Sequence, residues 1–478
     1  MKTAQKNTAA HYTRQMKRKP NVIWIFGDQH RAQSLGYRGD PNVCTPNIDR
    51  LAHEGVRFDN AVSGAPWCTP FRGSLLTSQY PNNCVIRTPQ RMDPNMPTVA
   101  HAFNDAGYHT AYVGKWHLDG GMEGDEAHKR QAFHIIPPER RGGFNYWMGY
   151  ENTNAQYNCF VHGSESPEPT RLEGYETDAL TDLFIEHMGK HVGENVAASG
   201  DDYQPFFSVL SVQPPHDPYV SPAEFARRHN TSTLKLRPNV PNVPWVREQA
   251  EFELAGYYGM IENLDYNLGR IREALSTMGI DQETHIFFFS DHGDSHGSHG
   301  FFRKSNPYEE SIRIPCIVGG TSYVPEVRGA RPSDVVFNHV DFAPTALDLC
   351  SIDVPNHMAG YSYAHCCDRT RPTPNNEPDS AYLQQCCMKS FPNGIDEVWR
   401  GVVTRDKWKY VCMPNQRWLM FNLNDDPYEQ ANLAFNTKFR PQRERLHGCL
   451  TDWIKHTGDT FAMPPMQGVT EFEKQEPR

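Results

Sequence analysis

No apolar stretch in this chain approaches the roughly 20 residues needed to cross a bilayer, and residues 1–20 are polar where an export leader carries its apolar centre. The chain is therefore expected to have no membrane partner and, as it stands, to be cytoplasmic; a trimmed leader would place it in the periplasm or outside the cell. Positive charge is also short. Against 57 Asp and Glu there are 47 Lys and Arg, a net charge of -10, which excludes the broad cationic face a nucleic acid requires. Any anion must then be met by cations gathered locally. Cysteine is sparse as well: twelve in 478 residues are no disulfide framework, and in a reducing compartment most of them remain thiols.

Four short apolar runs end in polar, metal-type or cationic residues. Asn21–Phe26 leads into Gly27-Asp28-Gln29-His30, and Thr110–Val113 into Gly114-Lys115-Trp116-His117. Phe206–Val212 leads into Gln213-Pro214-Pro215-His216-Asp217, and His285–Ser290 into Asp291-His292-Gly293-Asp294. Continuous runs of this kind predict strands buried on both faces of a parallel sheet, and ligands gather at the carboxyl ends of such strands. Between them, Asn47–Glu54, Thr98–Ala106 and Glu251–Met278 carry apolar residues at helical spacing. Residues 365–395, rich in Pro, Asn and paired Cys, read as a long connection. The pattern then shortens to three strand-like segments (Val398–Thr404, Trp408–Cys412, Arg417–Leu423) and a helix, Phe439–His456. The expected fold is α/β, a large mixed and mainly parallel sheet sandwiched by helices, with a small C-terminal α+β unit built on an antiparallel sheet.

One further segment carries the chemistry. In Cys68-Thr69-Pro70-Phe71-Arg72 the proline favours a first helical turn, which sets a thiol where free backbone N–H groups and the positive end of the helix dipole attract an anion. Arg72 follows one turn later. This Cys-x-Pro-x-Arg pattern, continued by a Leu-rich helix and Thr77, resembles the signature of the sulfatase family of the alkaline-phosphatase superfamily. Arg400-Gly401-Val402, Asn424–Glu429 and Asn432-Leu433 resemble the small C-terminal domain of those enzymes, so the likeness runs from about residue 20 nearly to the end. It implies a polar tail over 1–19, a catalytic domain over 20–375 and a small domain over 376–478.

The resemblance also assigns roles. Cys68 would be oxidised by a maturation enzyme to formylglycine, whose hydrate attacks sulfur. Asp28, Gln29, Asp291 and His292, with position 68, would hold one divalent cation. Three oxygen donors in four suit a hard ion; Ca²⁺ is expected first, with Mn²⁺ or Mg²⁺ as alternatives, because Gln29 and His292 stand where the family more often has Asp and Asn. Arg72 would steady the nucleophile, Lys115 and Lys304 would neutralise sulfate oxygens, His117 would take a proton, and His216 would protonate the leaving oxygen. A competing local reading places zinc within the loop on Asp291, His292, Asp294, His296 and His299. The expected activity is removal of sulfate from a sulfated saccharide of galactose or N-acetylgalactosamine type, because the aromatic and amide residues of 143–157 resemble those of bacterial enzymes acting on glycosaminoglycan or algal polysaccharide. Alternatives are hydrolysis of a phosphonate monoester or phosphodiester with the same formylglycine, and a saccharide-binding module without catalysis.

Overall fold

The computed structural model describes residues 19–120, 131–195, 203–320, 331–368, 371–388 and 395–465, so the polar tail lies almost wholly outside the described residues. Ten strands form the larger sheet: β1 (Asn21–Gly27), β2 (Val56–Phe58), β3 (His109–Lys115), β4 (Tyr146–Tyr150), β5 (Phe160–Gly163), β6 (Thr170–Arg171), β7 (Phe206–Val212), β8 (Thr284–Ser290), β9 (Cys316–Gly319) and β10 (Arg331–Ser333). Their order is β10-β2-β9-β8-β1-β7-β3-β4-β5-β6. The central run β8-β1-β7-β3-β4 is parallel throughout, with antiparallel pairs outside it.

The apolar runs have the two-sided burial expected of them. On β1, Val22, Trp24 and Phe26 face one core together with Phe207, Phe287 and Phe289. Ile23 and Ile25 face the other with Leu210 and Phe288. The first core is covered by α2 (Cys68–Thr77) and α3 (Val99–Asp105), and the second by α1 (Pro46–Glu54), α4 (Glu176–Asn195) and α5 (Pro244–Thr277). Leu264, Leu268, Ile271 and Leu275 of α5 lie on the sheet. That helix begins at Pro244, not at Glu251. Its first turns turn Val246 and Ala250 onto Val240 and Phe302, a separate apolar cluster whose spacing does not show in the main stripe. Trp24 sits at the centre of the first core, fully buried and edge-on to Phe207 at 4.9 Å and Phe289 at 5.9 Å. Trp24→Ala is expected to cost about 3–5 kcal/mol, read from the shift of a denaturant midpoint.

A second sheet contains β11 (Ser380–Gln385), β12 (Trp399–Thr404), β13 (Trp408–Met413) and β14 (Gln416–Asn422), in that order and antiparallel. The reading of 365–395 as a structureless connection needs correction at β11, where all six residues are buried. Its polar members conceal the strand: Gln384 bonds Asn82 and Asp459, partners remote in sequence. One face of this sheet packs against α6 (Arg440–His456). The other packs on Val62, Ile312 and Val336 of the larger body. Between them Lys409 is fully buried and pairs with Glu309 at 2.9 Å and Glu429 at 2.5 Å. No helix among the described residues is long and apolar enough to cross a membrane.

Candidate active site

The parallel strands deliver their terminal residues to one edge, as this sheet class dictates. Asp28 and Gln29 follow β1, Lys115 ends β3, His216 follows β7, and Asp291 and His292 follow β8. Cys68 opens α2 behind the extended residue Trp67, with Pro70 in the first turn. The thiol is only 2% exposed. Its Sγ lies 3.0 Å from Lys304 Nζ, 3.2 Å from His292 Nε2 and 3.4 Å from Asp28 Oδ1. Burial would push this thiol up, but Lys304, Lys115 and His292 outweigh burial and hold it well below the usual thiol range.

Cations surround the carboxylates. Lys115 Nζ donates to Asp28 Oδ2 at 2.6 Å, and Arg72 Nη2 donates to the same oxygen at 3.2 Å. Arg72 also donates to the Lys115 carbonyl and to Ser211 Oγ, each at 2.8 Å, tying α2 to β3 and β7. Against burial, Lys115 and Lys304 hold Asp28 far below the usual carboxylate range, although the nearby Cys68 opposes them. Asp291 goes the other way: burial, then the charge of Asp28, push it up to about 6. Its Oδ2 is buried without a hydrogen-bond partner.

That unsatisfied oxygen is what a metal cage would leave. Asp28, Cys68, Asp291 and His292 each turn a donor atom to a common point, all within 4.8 Å of one another. His292 Nδ1 donates to the Gly293 carbonyl at 3.0 Å, which turns Nε2 to the cluster, the nitrogen that would lose its proton to ligate a metal. The group fits a divalent cation. Gln29 stands beside it with both ends of its amide engaged, Nε2 donating to Asp294 Oδ2 at 2.6 Å and Oε1 accepting from Lys304 Nζ at 2.9 Å. The one-loop zinc arrangement does not form. His296 approaches Glu253 and Asp294, and His299 stacks on Tyr308 with Nε2 at Asn239.

His117 is buried beside Cys68, and burial above all pushes its imidazole down to about 3, with Cys68 acting in opposition and Lys115 reinforcing the shift. It is a neutral imidazole whose Nδ1 has no partner. His216 is 13% exposed, and its Nδ1 donates to the Asp217 carbonyl at 2.7 Å, which leaves Nε2 for another partner.

Several supporting residues escape sequence reasoning. Ser211 orients Arg72; a polar residue inside an apolar run was its signal. Asp294, read from the sequence only as a zinc ligand, instead accepts from Gln29 and from the backbone N–H of His296 and Arg303. The Trp399 indole, from the second sheet, donates to the Ser305 carbonyl at 3.1 Å and so steadies the loop bearing Lys304. Gln29, His117, Arg303 and Ser305 all have φ between 57° and 73°, a left-handed geometry that costs non-glycine residues of order 1–3 kcal/mol each and concentrates at working sites. At Gly114 the close approach demands glycine: a Cβ there would lie 1.9 Å from the Ser211 carbonyl oxygen.

The family model for sulfatases matches residues 20–352, and that of the N-sulphoglucosamine sulphohydrolase C-terminal region matches 297–456. An ulvan-active sulfatase of Formosa agariphila is 30% identical over 451 residues, covering 93% of this chain and 82% of that protein. An endo-4-O-sulfatase of Bacteroides thetaiotaomicron is 28% identical, covering 92% and 93%. Among solved structures, the sulfatase yidJ of Bacteroides fragilis superposes with a TM-score of 0.80 at 25% identity, covering 93% of this chain and 97% of that one. The fold is alkaline-phosphatase-like and the chain is a sulfuric ester hydrolase. The chain belongs to the sulfatase family.

Proposed function

We propose that this enzyme removes sulfate from a sulfated saccharide, a galactose or N-acetylgalactosamine unit of a glycosaminoglycan or algal polysaccharide fragment. The observation that carries this reading is the convergence of Lys115, Lys304 and Arg72, with a neutral His117, on Cys68 and the Asp28 carboxylate beside it. The names of the ulvan-active and endo-4-O relatives support a saccharide substrate. Position 68, once a maturation enzyme has oxidised the thiol to formylglycine, would supply a nucleophilic hydroxyl, and the cation, Ca²⁺ before Mn²⁺ or Mg²⁺, would acidify that hydroxyl and screen sulfate charge. Asp28, Gln29, Asp291 and His292, with position 68, would hold the ion. A second sheet that begins at Ser380 supports a domain boundary near residue 375.

The residues of the chain divide the remaining work. Lys115 and Lys304 meet sulfate oxygens where negative charge moves in the transition state. Arg72 holds the residue at position 68 against Asp28. His117 accepts the proton that must leave position 68. His216, its Nδ1–H fixed on the Asp217 carbonyl, presents Nε2 to the departing alcohol oxygen.

Leaving-group dependence tests this assignment. His216→Ala is expected to slow release of sulfate from a sugar ester by about 10²-fold, yet to leave an activated aryl sulfate nearly unaffected, since a phenolate needs little protonation. Equal losses on both substrates remove His216 from the role. The competing phosphonate reading draws on Gln29 and His292; Lys115 and His117 favour sulfate. A screen of sulfated saccharides by released sulfate, beside a phosphonate monoester, should give the higher kcat/KM for a sugar sulfate. Preference for the phosphonate overturns the reading, and absence of any turnover by enzyme carrying formylglycine returns the binding module.

A further inference from the structure

The paired cysteines of the segment between the two sheets have no part in the chemistry above, and one of them stands in a second cluster of ligand-type groups. His365 and Cys366 lie on the short helical turn Ala364–Cys367, and Glu377 lies three residues before β11. Each offers a donor atom, and the three atoms lie within 4.8 Å of one another. His365 Nε2 is 2.7 Å from Glu377 Oε2 and 3.4 Å from Cys366 Sγ. The imidazole and carboxylate side chains are only 8% and 9% exposed. An imidazole with Nε2 turned to both a thiol and a carboxylate offers that nitrogen to a metal beside two further ligand types.

We propose that His365, Cys366 and Glu377 form a second metal site, selective for zinc, that clasps the end of the larger sheet's body to the first strand of the smaller sheet. Sulfur, imidazole and carboxylate are a borderline-soft set that suits Zn²⁺ and not Ca²⁺ or Mg²⁺. Tetrahedral zinc with ordinary bond lengths separates a sulfur and a nitrogen ligand by about 3.6 Å, and a nitrogen and an oxygen ligand by about 3.3 Å. The first separation is met to within about 0.2 Å, and the second needs the carboxylate to withdraw by about 0.6 Å. Arg405 pairs with Glu377 Oε1 and so leaves Oε2 to the metal, the part an outer partner plays in such sites. When the Zn–S bond forms, the Cys366 thiol releases its proton to solvent, while His365 and Glu377 bind in their deprotonated forms. A fourth position is left for water.

The test uses the full chain carrying Cys68→Ala, which removes the active-site thiol, after chelation and dialysis. Iodoacetamide labelling of Cys366, followed by peptide mass spectrometry, should slow at least tenfold with Zn²⁺ and stay unchanged with Ca²⁺ or Mg²⁺; the exposed Cys44 should label at one rate throughout. Co²⁺ should produce a thiolate charge-transfer band that Cys366→Ser abolishes. A labelling rate indifferent to zinc, or a cobalt band that survives Cys366→Ser, overturns the proposal. If Cys366→Ser fails to fold, the labelling arm decides alone, because it leaves all three ligands intact.

Discussion

Cys68→Ala is expected to lower turnover of every sulfate ester by at least about 10⁴-fold, with the fold retained. Loss of a covalent nucleophile removes the reaction path itself, and residual rate then comes only from binding and charge stabilisation. Stability should change far less, because Cys68 contacts Lys304, His292 and Asp28 and takes no part in the aromatic core around Trp24. Far-ultraviolet circular dichroism and a melting curve check the fold, and released sulfate checks turnover. The wild-type counterpart is covalent: mass spectrometry of the peptide spanning position 68 should find formylglycine in active enzyme and Cys in protein made without the maturation machinery. Full activity with unmodified Cys68 refutes the assignment.

Chelation should abolish activity and a divalent cation should restore it, whereas Asp291→Ala should lose at least about 10³-fold with no recovery at any metal concentration. The size follows from the several kcal/mol that a bound cation supplies to a charged transition state. Asp291 is the decisive ligand because of how charge is distributed. Asp28 already accepts hydrogen bonds from Lys115 and Arg72, while Asp291 Oδ2 has no hydrogen bond and only the more distant Arg72 Nη2 at 3.6 Å, and its carboxyl is held up to about 6 by burial and by Asp28. Without it, the cage keeps one carboxylate whose charge is largely spoken for. Titrating Ca²⁺, Mn²⁺ and Mg²⁺ into stripped wild-type and variant enzyme measures both effects, and undiminished activity in stripped wild-type enzyme removes the metal from the site.

What the sequence by itself determined is local in origin. Two-sided burial writes itself as unbroken apolar runs, so β1, β3, β7 and β8 and the residues at their ends were legible, and the Cys-x-Pro-x-Arg spacing marked the mouth of α2. The tertiary structure alone decided what depends on partners hundreds of positions away. It made a strand of Ser380–Gln385, where Gln384 Nε2 donates to Asn82 and Asp459. It brought Trp399 to the carbonyl of Ser305, turned His296 and His299 away from the metal cluster, and bound both ends of the Gln29 amide. Such contacts leave no period or motif, because a buried polar group needs only some partner of the right chemistry, and packing, not chain order, selects which one.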